Sequence, residues 1–215
     1  PAAAQPVDAA AEERVATTDV IRVTMQRREQ AITDVPINLT AYNQERLEIL
    51  GITQFDELSD FVPGLEVQEQ SPNNPGFVIR GITSDDGAAT GEARVAVFQD
   101  GVTISRARGA YIELFDIERV EVAKGPQATL FGRGALIGAI NVIQNKAQLD
   151  EQSASIRAAY GDYERREIGG HVNLPLSDTL AVRFAATHKQ RDGYVDNLLG
   201  GPAMNAVDLT AFRAA

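Results

Sequence analysis

Several groups of residues have types and spacings that could do chemistry. Gly132, Gly134 and Gly138 form G-x-G-x-x-x-G after a strand-like run, close to a dinucleotide fingerprint in which glycines admit a pyrophosphate to a helix N-terminus. That loop must open an amphipathic helix, with a second strand and an acid at its end. Here Gly138 runs straight into the strand-like 139–143, so the required context is missing. Lys124-Gly125 lacks the spacing of a phosphate-binding loop. Asp85-Asp86-Gly87 without further spaced oxygen ligands reads as a solvated turn rather than a calcium loop. His171 and His188 lie on alternating runs with no local partner for nucleophilic or metal chemistry. Asp116, Glu118, Arg119, Glu121 and Lys124 cluster in sequence, but ion pairing explains them without catalysis. The expectation is therefore a protein that is not an enzyme, with no catalytic residue, metal or cofactor.

Composition narrows the classes further. The 215 residues carry 30 acidic against 20 basic side chains, a net charge of -10, which argues against a nucleic-acid binder with a basic face. Apolar runs are only a few residues long, far below the ~20 that a membrane helix needs, so any membrane span must be a strand. Cysteine is absent, which removes disulfides and thiolate sites. Residues 1–16 lack the basic start and continuous apolar core of a secretory signal, and their Ala, Pro and acid content reads as a mobile arm over 1–18, as in a mature N-terminus.

The elements that would position these residues follow in order. TDVIRVTMQRR, from Thr18, is a short β-prone segment, read either as an edge strand of the chain's own sheet or as one that adds to a partner's sheet. Spacing alone favours the first. Residues 43–50 predict a helix ending at Gly51, and a second helix follows, with Thr53 and Asp56 as its capping pair and Pro63-Gly64 as its stop. Strands are predicted at 65–69, 77–81, 93–99 and 102–105, with Asp100-Gly101 as a hairpin turn. Over 116–143, half-buried strands at 119–123 and 139–143 flank a glycine-rich loop. Beyond residue 143 the pattern changes. The runs 155–160, 167–174 and 179–189 each alternate one apolar face with one polar face, a pattern that ~10-residue transmembrane β-strands share with the strands of a soluble sandwich, the wet lumen of a barrel suiting the charged face better.

The runs PGLEVQ, FVIRGI, VAVFQDGV and DIERVEVAKGPQATLFGRGALIGAINVI resemble the plug domain of TonB-dependent outer-membrane receptors. Residues 150–215 resemble the first strands of that family's barrel. The resemblance implies an α+β plug domain, a mixed β-sheet with short helices, over 29–146, followed by the first antiparallel strands of a 22-stranded transmembrane β-barrel. It also reverses the preference for an internal edge strand. Asp19, Val20, Ile21, Arg22, Val23 and Thr24 stand where the TonB box should be, within a segment 19–28, although Arg22 interrupts the usual aliphatic run.

Further expectations come from the resemblance. The turn with Asn73 and Asn74 and the loop with Asp85 and Asp86 resemble apical loops that face substrate, the alternative being mobile connections. Arg80, Glu121 and Lys124 are candidates for ion pairs within the plug or to the barrel wall, the alternative being solvated charges. The implied function is active uptake of a scarce nutrient such as a ferric siderophore, driven by TonB and its inner-membrane energising complex. The expected location is the Gram-negative outer membrane, with the plug in the lumen and the arm in the periplasm. A complete barrel needs several hundred residues. The remaining strands are thus expected from the rest of a longer receptor or from a second chain, with outer-membrane lipid around them. The other reading is a plug-like ligand-binding or assembly module associated with another outer-membrane protein.

Overall fold

A computed structural model of the chain describes residues 21–71, 74–83, 94–106, 109–132 and 134–215. The chain divides into two compact units. One comprises residues up to Ile112 with Arg119–Ile143, and the other Glu113–Glu118 with Gln144–Ala215. The short piece Glu113–Glu118 thus groups with the C-terminal strands, although in sequence it lies within the expected plug.

The first unit is built on a five-stranded sheet in the order β3 (Leu39–Asn43), β9 (Ile117–Lys124), β10 (Gly138–Gln144), β7 (Val95–Gln99), β8 (Val102–Ile104). β7 and β10 run parallel, with Ile140 level with Val97, whereas β3–β9 and β7–β8 are antiparallel. The runs expected to be half-buried are covered on both sides. Every residue of Gly138–Gln144 is buried, as are Val95 to Phe98. Central strands with a parallel neighbour have no wet face, so their side chains need not alternate in polarity. One face carries Ala96, Phe98, Ala123 and Ala139, packed with Met25 and with Ile37, Leu39 and Phe131. The three alanines let Met25 of the N-terminal segment lie close against the sheet.

Helix α1 (Gln44–Leu50) begins where Asn43 accepts the Arg46 N–H at 3.0 Å and ends at Gly51 in the left-handed region, as its sequence predicts. Helix α2 (Phe55–Phe61) is capped differently from expectation. Glu57, not Asp56, reaches back to accept the Thr53 and Gln54 N–H groups at 2.6 and 3.1 Å, because an acid at the third helical position has the needed reach. A third helix, α3 (Ala128–Phe131), occupies what reads in sequence as loop. Its single turn is too short for periodicity to reveal.

A second, three-stranded sheet joins β4 (Leu65–Ser71), β5 (Asn74–Ile79) and β6 (Ile82–Thr83). β5 starts earlier than predicted and stops at Ile79. Arg80 and Gly81, expected to end the strand, instead make a two-residue turn with φ of 53° and 77° that pairs Ile79 with Ile82. An arginine in the left-handed region is uncommon, which hides this turn from sequence reasoning. Asp100 and Gly101 make the predicted turn with φ of 50° and 79°.

The second unit is an antiparallel sheet in chain order, β11 (Ser153–Gly161), β12 (Arg165–Ser177), β13 (Leu180–Arg191) and β14 (Val207–Ala214). Cross-strand register keeps the two faces apart. Asn173 is opposite Arg183 and Glu167 opposite Lys189 on one face, while Ala186 is opposite Phe212 on the other. The apolar face is the open one, with Ile156 81% and Phe212 86% exposed. Arg183, Thr187 and Lys189 on the polar face are buried. Among the described residues no helix is long and apolar enough to cross a membrane.

Candidate functional site

In the first unit the site is assembled around the N-terminal segment. Its strand β1 (Arg22–Val23) pairs antiparallel with β2 (Gln30–Ala31), and Ile32 N–H closes the pairing on Ile21 O at 3.0 Å. Two ladder residues per strand make this a weak hairpin by itself. Its docking supplies the rest. Val23 and Met25 are buried, and Arg27 donates to Leu130 O at 3.1 Å with its guanidinium 5.7 Å from the Phe131 ring centre. Arg22 pairs with Glu29 at 3.2 Å, but both are well exposed, so the pair adds little.

Thr24 sits between the two buried apolar residues and meets Glu121 on β9. Glu121 Oε1 accepts the Thr24 N–H at 2.7 Å and the Thr24 hydroxyl at 3.3 Å. Arg119 completes the cluster, donating Nε to the same oxygen at 2.8 Å and a terminal nitrogen to Thr24 Oγ1 at 3.1 Å. Glu121 is wholly buried, and among the described residues its second oxygen, Oε2, has no donor. Asn141 Oδ1 on the neighbouring strand is buried in the same condition. Alternation puts it on this face too, two residues from Ala139 as Glu121 is two residues from Ala123.

Lys124 and Arg80 lie elsewhere in this unit and do not join Glu121. Lys124 Nζ donates to Thr40 Oγ1 and to Pro63 O, each at 3.1 Å. Burial, and secondarily the nearby Arg80 guanidinium, hold its ammonium below the ordinary lysine range. Arg80 is exposed, and its side chain runs past Gly64 and Gly125. Asn74 opens β5. Asp19, Val20, Asn73, Asp85 and Asp86 lie outside the described residues. In the glycine-rich loop, Gly132 supplies a φ of 76° with open space around it, whereas Gly138 serves close packing. A Cβ on Gly138 would overlap the Ile79 side chain and stand 2.7 Å from Ala123 O, which only glycine avoids.

The second unit holds its own ionic cluster, missed in sequence because its members are far apart. Asp116, at φ 52°, turns its carboxylate to Arg183 at 2.5 Å and to Arg213 at 2.8 Å. Asn145 donates its N–H to Asp116 O at 3.0 Å and its amide to Oδ1 at 3.2 Å, and Arg213 also bonds Asn145 O. Lys189 donates to Glu113 at 2.8 Å. The buried Asn173 exchanges 2.9 Å bonds with Gln148 and also donates to Glu151 O. The polar strand face thereby fixes both Glu113–Glu118 and the approach to β11. Alternation did place Arg183 and Lys189 on this polar face, which was the available signal.

A family model described as the TonB-dependent receptor plug domain matches residues 31–139, about half of the chain. The chain belongs to the TonB-dependent receptor plug family. The plug's relatives include the "Vitamin B12 transporter BtuB" of Vibrio vulnificus, 31% identical over 85% of this chain and 30% of that protein. Another is the "Iron-regulated outer membrane virulence protein" of Vibrio cholerae, 29% identical over 88% of this chain and 31% of that protein. The chain therefore spans under a third of the length of these relatives. Solved structures share the fold. The ferric yersiniabactin uptake receptor FyuA of Yersinia pestis superposes with a TM-score of 0.68 at 23% identity, over 80% of this chain and 26% of that one. The pyoverdine receptor FpvA of Pseudomonas aeruginosa gives 0.69 at 20%, over 81% and 25%. The mixed sheets and short helices of the first unit are those of the plug, and of the named relatives BtuB is called a transporter and FyuA and FpvA are called receptors.

Proposed function

We propose that this chain is the plug and leading barrel strands of a TonB-dependent outer-membrane transporter that takes up a scarce nutrient, such as a ferric siderophore. The plug-family match over 31–139 carries the reading, with a TonB-box-like segment, residues 19–24, a short way before it. In this reading the plug closes the lumen of a 22-stranded barrel, of which β11–β14 are the first strands. The apolar faces of those strands meet outer-membrane lipid and the polar faces meet the lumen. TonB, energised from the inner membrane, engages the periplasmic arm by strand pairing. Asn73, Asn74, Asp85 and Asp86 face substrate, and Arg80, Glu121 and Lys124 supply polar contacts within the plug. The relative named a vitamin B12 transporter supports a small nutrient as cargo.

Deleting residues 19–24 in the intact protein is expected to abolish energised uptake while nutrient binding to cells persists. Uptake at the parental rate would overturn the proposal. Growth rescue across candidate nutrients identifies the cargo.

A further inference from the structure

The Thr24–Glu121–Arg119 cluster has more directional bonding than a surface hairpin needs. Val23 and Met25 give the N-terminal segment apolar contact, which is non-directional and tolerates sliding. The hairpin's own ladder is two residues long. What fixes the segment to one place on the sheet is the buried carboxylate of Glu121, which takes three donors on Oε1 and none among the described residues on Oε2. Two of those donors belong to Thr24 and the third to Arg119, which itself donates to Thr24. Each bond to an ionised group is stronger than its neutral counterpart and strict in geometry.

We infer that Glu121 is a positioning residue, a latch that keeps the segment Ile21–Met25 docked on the plug sheet until the arm is pulled. The inference rests on the proposed function only for the source of the pull. Thr24 immediately follows Val23 of β1, so tension applied N-terminal to it meets the Ile21–Ile32 bond and the two-residue β1–β2 ladder and then the Glu121 bonds. Glu121 lies inside β9, between β3 and β10, and cannot follow the segment without tearing the sheet. The Thr24–Glu121 bonds are thus the first directional contacts to the five-stranded sheet to part, and that sheet survives their loss.

A spin label at Arg22→Cys, in the intact protein in detergent without TonB or nutrient, reads the docked and mobile fractions of the segment. Glu121→Gln keeps the shape and a neutral acceptor but removes the charge. It is expected to raise the mobile-to-docked ratio about tenfold, the value of one charge-assisted bond, without loss of the folded sheet by circular dichroism. Thr24→Val, which leaves the sheet untouched, is expected to raise the ratio about threefold. The double variant is expected to fall short of the product of the two single effects, because the hydroxyl then meets a neutral amide oxygen in place of the carboxylate. An unchanged ratio in Glu121→Gln overturns the latch, as does a Thr24→Val effect that persists in full in the double variant. If Glu121→Gln does not fold, an unchanged ratio in Thr24→Val overturns it alone. A loosened segment combined with uptake that survives deletion of residues 19–24 leaves the latch standing and overturns the transport reading instead.

Discussion

The two units place charge and apolar surface in opposite arrangements. In the plug, β10 is buried along its whole length and the charge of Glu121 enters the interior beneath a docked segment. In the strand unit, Ile156 and Phe212 stand open while Arg183 and Lys189 are buried in ion pairs. The same forces act in both, but the surroundings differ. A unit that meets water hides its apolar side chains, whereas on the proposed reading the strand sheet meets hydrocarbon with its outer face, turns its apolar side chains out and saves its polar face for the interior. Buried charge also has different roles. The Glu121 cluster holds a segment that we propose leaves. The Asp116 cluster fixes Glu113–Glu118 to β13 and β14 with two arginines and the Asn145 main chain.

The largest expected effect comes from removing the shared acid of the second cluster. Asp116→Ala leaves Arg183 and Arg213 without their counter-charge, and breaking a buried pair costs about 3–5 kcal/mol. Thermal unfolding of the purified protein in detergent checks this, and a parental melting temperature would erase the contrast between a releasable cluster and a fixed one. Next in size is the outer face. Phe212→Arg is expected to cost about 2–4 kcal/mol when the protein folds into lipid vesicles, as for a charge on the lipid face of a barrel. Parental folding efficiency would mean that this face meets water, as the plug does.

The smallest effect concerns Lys124. Its folded pKa lies below the unfolded value of 10.5, so between the two the unfolded chain binds more protons and stability rises with pH. Above 10.5 the gain is complete, and below the folded pKa the charged amine weighs against the fold. Arg80→Gln removes the lesser of the two causes and is expected to move the amine part of the way back up. The pH midpoint of its acylation measures that shift, and no movement would make burial the sole cause.

Much of the fold is legible in the sequence where the signal is local. Asn43 and Gly51 bracket a helix because cap chemistry acts within one turn. Asp100-Gly101 makes a hairpin because it supplies positive φ. Alternation in β11–β13 sorts the apolar face from the polar face because a strand has period two. Signals fail where the neighbourhood decides. Arg80 takes a left-handed turn position usually left to glycine or asparagine, the turn of helix at Ala128–Phe131 is too short for a period, and β9 and β10 lose their alternation by lying inside a sheet. Of the candidate site, the segment Ile21–Thr24, Glu121 and the charged run around Asp116 were visible as residues, but their partners were not.

The sequence by itself determined the plug family, through a long run of small and charged residues that this sheet needs, and the two-faced strands that follow. Gly138 belongs to that record, since the overlap with Ile79 and Ala123 leaves no room for a side chain. Only the tertiary structure decided which charges meet. Thr24 lies 97 residues from Glu121, and Asp116 lies 67 from Arg183. Ion pairing depends on distance in space, and no period or cap encodes contacts that strand order alone brings together.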